Sequence, residues 1–201
     1  MTAPHSQSKV AIPEHKQLRA DAKREVEEEL SGIARAHHRF ARASEIVQQA
    51  DLEIAAHVEE RNQAAVSLWL YEGVRGVARV LGVYPNAFYE MYRLALFGDK
   101  KANVSHDGDL VSRMSAAERR QAAEDAGVPF IEDAAERLPG LSETVSVATA
   151  RRQAAMPFLQ DAALELSEEP CSWEVERIAK LGNVTTKYVR DLKFKAKRRS
   201  R

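Results

Sequence analysis

The apolar positions of this chain fall on helical periods rather than strand periods. Between Gly32 and Gly73 neither glycine nor proline interrupts 40 residues, which predicts one very long helix or two helices joined without an obvious breaker. Val26, Ile33, Phe40, Val47 and Ile54 recur every seven residues, with Ala36, Ala43 and Ala50 three places after the middle members. Such a repeat keeps a narrow apolar seam facing one partner helix. His37, Ser44 and Asp51 flank the seam and make it polar for a long coiled coil. Its default partner is therefore the rest of this chain, and a homodimer through residues 26–54 is the alternative.

Downstream, Ser115 followed three residues later by Glu118 is a capping-box pattern, and Gly127 before Val128-Pro129 is a fitting stop, so Ala116–Ala126 is predicted helical. Phe130–Leu138 reads as a further helix closed by Pro139-Gly140, and about 147–167 as a longer one interrupted at Pro157. The run TVSV at 144–147 is strand-like but has nothing to pair with, so it is left as loop or helix start. Apolar residues make up 44% and aromatics 6%, with 32 alanines, a composition that suits helices and is poor in strand formers. The expectation is an all-α chain: a disordered tail (1–15), a long helical segment (16–57), a three-helix module (58–98), a linker (99–113), a helical connector (114–170), and a second three-helix module with a basic C-terminal arm (171–201).

Overall charge changes the picture little, because 30 Lys and Arg balance 30 Asp and Glu. Its distribution changes it more. From Lys180 to Arg201 nine basic residues face one acid, Asp191, a net of +8 that the preceding 179 residues cancel. Any affinity for a polyanion is thereby concentrated at the C-terminal end, where several cations can displace condensed counterions together.

Two stretches carry the same spacing. In VRGVARVLGVYPNAFYEMYR (74–93), Ala78 is small where one helix must approach the next, Gly82 can take φ > 0 in the turn, and Val83, Phe88 and Met91 are apolar. Pro85 suits a first helical turn, and Ala65, Leu68 and Trp69 mark a preceding support helix. In ERIAKLGNVTTKYVRDLKFK (176–195) the equivalents are Ala179, Asn183, Val184, Val189 and Leu192, with Asn183 at the glycine site and Gly182 one place earlier, where an apolar residue is usual. Asn tolerates the left-handed region better than most residues.

The first stretch resembles the three-helix form of the helix-turn-helix superfamily, found in bacterial transcription regulators and in the promoter-binding end of sigma factors, and the second repeats its spacing. That resemblance implies that the second helix of each unit enters the major groove. Carried over residue by residue, it makes Tyr84, Asn86, Tyr89, Glu90 and Arg93 the outward candidates of the first unit, flanked by Arg75, Arg79, Lys100 and Lys101. In the second, Thr185 or Thr186 caps the helix, Lys187 and Arg190 project from it, and Lys193, Lys195, Lys197, Arg198, Arg199 and Arg201 extend it as a basic arm.

Other chemistry is thin. His37 and His38 are adjacent and point about 100° apart on a helix, the remaining histidines lack local ligand partners, and the lone Cys171 has no nearby histidine to activate it. No phosphate-binding glycine loop and no nucleophile-elbow motif occurs. No secretory signal and no run of 18 apolar residues is present, so a cytoplasmic protein is expected. The sequence therefore points to a non-enzymatic, cofactor-free and metal-free protein that binds double-stranded DNA sequence-specifically, as a transcription regulator. Two alternatives stand beside it: a helical adaptor docking on RNA polymerase or another protein, and a plasmid or phage replication or partition accessory factor.

Overall fold

The computed structural model describes residues 10–102, 104–105, 108–109 and 111–199; most of the expected tail lies outside them. The described chain is all-α: α1 (His15–Ser31), α2 (Ala36–Tyr71), α3 (Val77–Leu81), α4 (Pro85–Phe97), α5 (Ala116–Asp125), α6 (Ala134–Ser167), α7 (Val175–Leu181) and α8 (Thr186–Arg199). Within the expected 99–113 linker there is one short extended pairing, Val104 with Asp109 and Ser105 with Gly108, antiparallel. No helix among the described residues is long and apolar enough to cross a membrane.

The helices sort into two compact units that interleave along the sequence. One holds the described residues up to His15 with His57–Thr144; the other holds Lys16–Ala56 with the described residues from Val145 onward. Long helices α2 and α6 each contribute to both.

The 26–54 seam belongs to the second unit, where it is filled from within the chain. Val26, Phe40, Ala43 and Val47 are buried in one core with Ala155, Leu159, Ala162 and Leu166 of α6, Ile178 of α7, and Val189 and Leu192 of α8. The default, intramolecular packing is the one its buried members adopt. Of the two helical solutions the sequence left open between Gly32 and Gly73, the chain takes the single long helix, with α2 unbroken from Ala36 to Tyr71. Gly32 ends α1, and the Arg39 guanidinium donates to the Ile33 carbonyl at 2.8 Å across the break.

The other unit is built on the second half of α2. Leu68 and Leu70 pack with Val80 and Leu81 of α3, Phe88, Tyr92 and Leu96 of α4, Ala123 of α5 and Leu138 of α6. Helix α5 opens on the expected capping box, with the Ser115 amide donating to Glu118 and the Glu118 amide to Ser115 Oγ. It closes at Gly127, φ 69°, where the Val128 amide donates to the Ala123 carbonyl at 2.9 Å.

Helix α6 corrects the expectation of a stop at Pro139-Gly140 and of a separate helix beyond. It starts at Ala134 and continues through both residues, through TVSV and through Pro157. A proline within a helix costs about 3 kcal/mol. Ala134 and Leu138 are buried in one core, and Ala154, Leu159, Ala163 and Leu166 in the other. Burial of that many side chains, at roughly 0.8 kcal/mol per methylene, outweighs two local breaks.

Candidate nucleic-acid interface

The two stretches singled out by spacing form the same turn. In the first, Gly82 sits at φ 66°, ψ 33°, its amide donates to the Arg79 carbonyl at 3.1 Å, and the Val83 amide reaches back to the Ala78 carbonyl at 3.0 Å. In the second, Asn183 takes φ 51°, its amide donates to the Lys180 carbonyl at 3.3 Å, and the Val184 amide reaches the Ala179 carbonyl at 3.0 Å. The longer bond closes a six-residue loop around one left-handed residue, which is how a helix is ended and redirected in the fewest positions. Ala78 and Ala179 are small at that crossing, and Phe88 and Val189 are buried one turn into the following helix.

Gly182, out of pattern in the sequence, is explained by the seam. A side chain there would begin 2.6 Å from Phe40 Cε1 and 3.1 Å from Ser44 Oγ, so only glycine lets the turn lie on α2. Its carbonyl accepts from Ser44 Oγ at 2.7 Å and from Gln48 Nε2 at 2.8 Å.

Helix α8 then presents two unlike faces. Val189, Leu192 and Ala196 are buried, while Lys187, Arg190, Lys195 and Arg198 are exposed and make no ion pair among the described residues. Lys193 is half-buried, Thr186 is half-buried, and Thr185 caps the helix by accepting from the Tyr188 amide at 3.1 Å. Burial pushes the Tyr188 hydroxyl above its ordinary pKa, and that hydroxyl faces Met156 Sδ at 3.7 Å. One apolar side chain breaks the basic face: Phe194, 62% exposed, with the Arg198 guanidinium 5.8 Å from its ring centre. Sequence reasoning passed over Phe194, although it lies seven residues after Lys187 and four before Arg198.

The expected basic arm is instead helix. Through Arg199 it is the last turns of α8, and its cations are divided. Arg199 pairs with Asp161 and donates to Gln160 Oε1 at 2.7 Å, both on α6, and Lys197 pairs at 3.4 Å with Glu168 just past the end of α6, so neither is held outward. Arg201 lies outside the described residues.

The first unit's candidates also divide. Tyr84 is 87% exposed, and Asn86 and Glu90 are exposed. Tyr89 is half-buried against Tyr92, ring centres 5.7 Å apart. Arg93 is buried, its guanidinium donating to the Lys100 carbonyl at 3.3 Å, and so does not project as an outward reader. An i+4 step from Tyr89 carries position 93 onto the flank of α4, beside Tyr92 and Leu96, both buried. Leu94 and Phe97 are exposed at 47% and 38%.

Comparison of the chain with family models, with curated proteins and with solved structures yields no match.

Proposed function

We propose that this protein binds double-stranded DNA sequence-specifically through α7, its turn and α8, as a helix-turn-helix-type module of a transcription regulator. The observation that carries this reading is the exposed face of α8. Lys187, Arg190, Lys195 and Arg198 make no ion pair there among the described residues, on a helix whose opposite face is anchored in a core. Arg42, on α2 of the same unit, is by contrast matched by Glu29 and Glu45, and Arg152 by Asp51.

In the major groove, Lys187 and Arg190 near the start of α8 would meet phosphates or guanine, and Phe194 would meet a thymine methyl. The Thr185-capped helix end favours a phosphate near its first amides. Lys197 and Arg199 would add little, because contact with DNA would first have to break their pairs to Glu168 and Asp161.

The test is anisotropy of a labelled random-sequence duplex over a salt series with the full chain. Lys187→Ala and Arg190→Ala are each expected to weaken binding several-fold and to lower the salt slope by about one. Affinity and slope equal to the parent in both variants would overturn the assignment.

A second reading rests on the first unit, where Tyr84 at the start of α4 and Leu94 and Phe97 near its end expose apolar surface. That suits a protein partner, RNA polymerase included. A stoichiometric partner lost on Leu94→Asp, with no duplex affinity in the parent, would favour it.

A further inference from the structure

Beside the first turns of α4, the first unit holds two adjoining recesses of about 470 and 290 Å³, and Trp69, Arg75 and Tyr89 line both. Arg119 and Glu72 line the larger, Arg79 the smaller. We infer that these recesses form a binding site for a free nucleotide, its base against Tyr89 and its phosphate among Arg75, Arg79 and Arg119.

The electrostatics come first. Arg119 is half-buried, with its guanidinium 5.2 Å from the Trp69 ring centre. One of its amino groups donates to the Met114 carbonyl at 3.0 Å; its Nε is buried without a hydrogen-bond partner, and no carboxylate pairs with it among the described residues. The guanidinium packs close to Gly73, at φ 68°, where a Cβ would lie 3.1 Å from the Arg119 amino nitrogen. Arg75 and Arg79 are exposed and also make no ion pair among the described residues. Three arginines thus line the two recesses beside a single acid, Glu72. A guanidinium held half out of water without a counter-ion is a standing attraction for an anion, and its planar fork fits phosphate oxygens.

The aromatic walls narrow the class. Trp69 is already engaged, stacked on Tyr92 at 4.4 Å with Arg119 over it, so it stiffens the site rather than offering a free face. Tyr89, half-buried and lining both recesses, is the ring left for a flat ligand. An aromatic group joined to a phosphate describes a nucleotide, and the recesses are of a size that holds small ligands. A duplex is the poorer fit, since its phosphates run along a convex ridge whereas Arg119 is recessed against Trp69.

Calorimetric titration of the full chain with the four ribonucleoside mono- and triphosphates tests this, with adenosine and inorganic phosphate as the two halves of the ligand. Expected is saturable binding of at least one nucleotide, with Kd below about 1 mM, weakened about tenfold or more in the Arg75→Ala/Arg79→Ala variant while its melting temperature stays that of the parent. Lys187→Ala should bind the same nucleotide as the parent does, which separates this site from the α8 face. No saturable nucleotide binding would overturn the inference. So would unchanged affinity in the double variant, or inorganic phosphate binding as tightly as any nucleotide.

Discussion

The α3–α4 turn and the α7–α8 turn have one geometry and two different supports. In the first, the left-handed position is glycine, and α3 is held from outside by a His15 imidazole nitrogen 2.8 Å from the Val80 carbonyl. In the second, that position is Asn183, and the turn is also held from outside, its Gly182 carbonyl taking two hydrogen bonds from α2 and its backbone lying against Phe40. The difference extends to the helices that follow. Helix α4 starts without a side-chain cap and exposes Tyr84, whereas α8 is capped by Thr185 and exposes cations. Conserving a turn therefore does not conserve what is done with it: the same redirection of the chain serves one helix of low charge beside a recess and another that is amphipathic and basic.

Substitutions can break this comparison at graded cost. The largest effect is expected at Gly182, where φ is −93° and alanine meets no backbone strain but collides with the buried Phe40 ring. Gly182→Ala should cost about 2 kcal/mol by overpacking, measured by urea denaturation, and a variant as stable as the parent would mean that the turn does not depend on its approach to α2. At Gly82 the penalty is conformational: Gly82→Ala should cost about 1 kcal/mol, and Gly82→Asn, which copies the other turn, clearly less. Equal losses for Ala and Asn would deny that the left-handed backbone is the common requirement. The smallest change is a gain. Tyr84→Ser gives α4 the cap that α8 already has and should add about 0.5 kcal/mol, because the tyrosine it replaces is nearly fully exposed. No gain in melting temperature would show that the end of α4 is already satisfied.

What the sequence revealed and what it hid follow from the range of each interaction. The turns were legible because Ala78, Gly82 and Val83, and Ala179, Asn183 and Val184, each answer a local steric demand within six residues. The seam was legible because a seven-residue repeat is a local fact, and capping at Ser115 needs only Glu118. Gly182 was not, since its reason is the Phe40 ring far away in sequence. Nor was the passage of α6 through Pro139 and Pro157, where buried Leu138 and Leu159 override a local preference. Among the candidate DNA contacts, Lys187 and Arg190 are exposed on α8 as the resemblance implies, but Lys197 turned to Glu168, Arg199 to Asp161 and Arg93 to the Lys100 carbonyl. Side chains that long choose among partners that only the folded chain supplies. The recess between Trp69 and Arg119 has the same origin, since α5 delivers the arginine from another part of the sequence.

The interleaving of the two units sets an order of events during synthesis. The unit that carries α8 is assembled from two separated stretches, Lys16–Ala56 and the residues from Val145 onward, and all of 57–144 is made between them. Leaving the ribosome, the first-unit core around Leu68, Phe88 and Leu138 can close while Phe40 and Val47 still await Leu159, Ile178 and Val189. The apolar seam is consequently bare for as long as the inserted unit takes to emerge. The alanines and flanking polar residues keep that bare surface narrow.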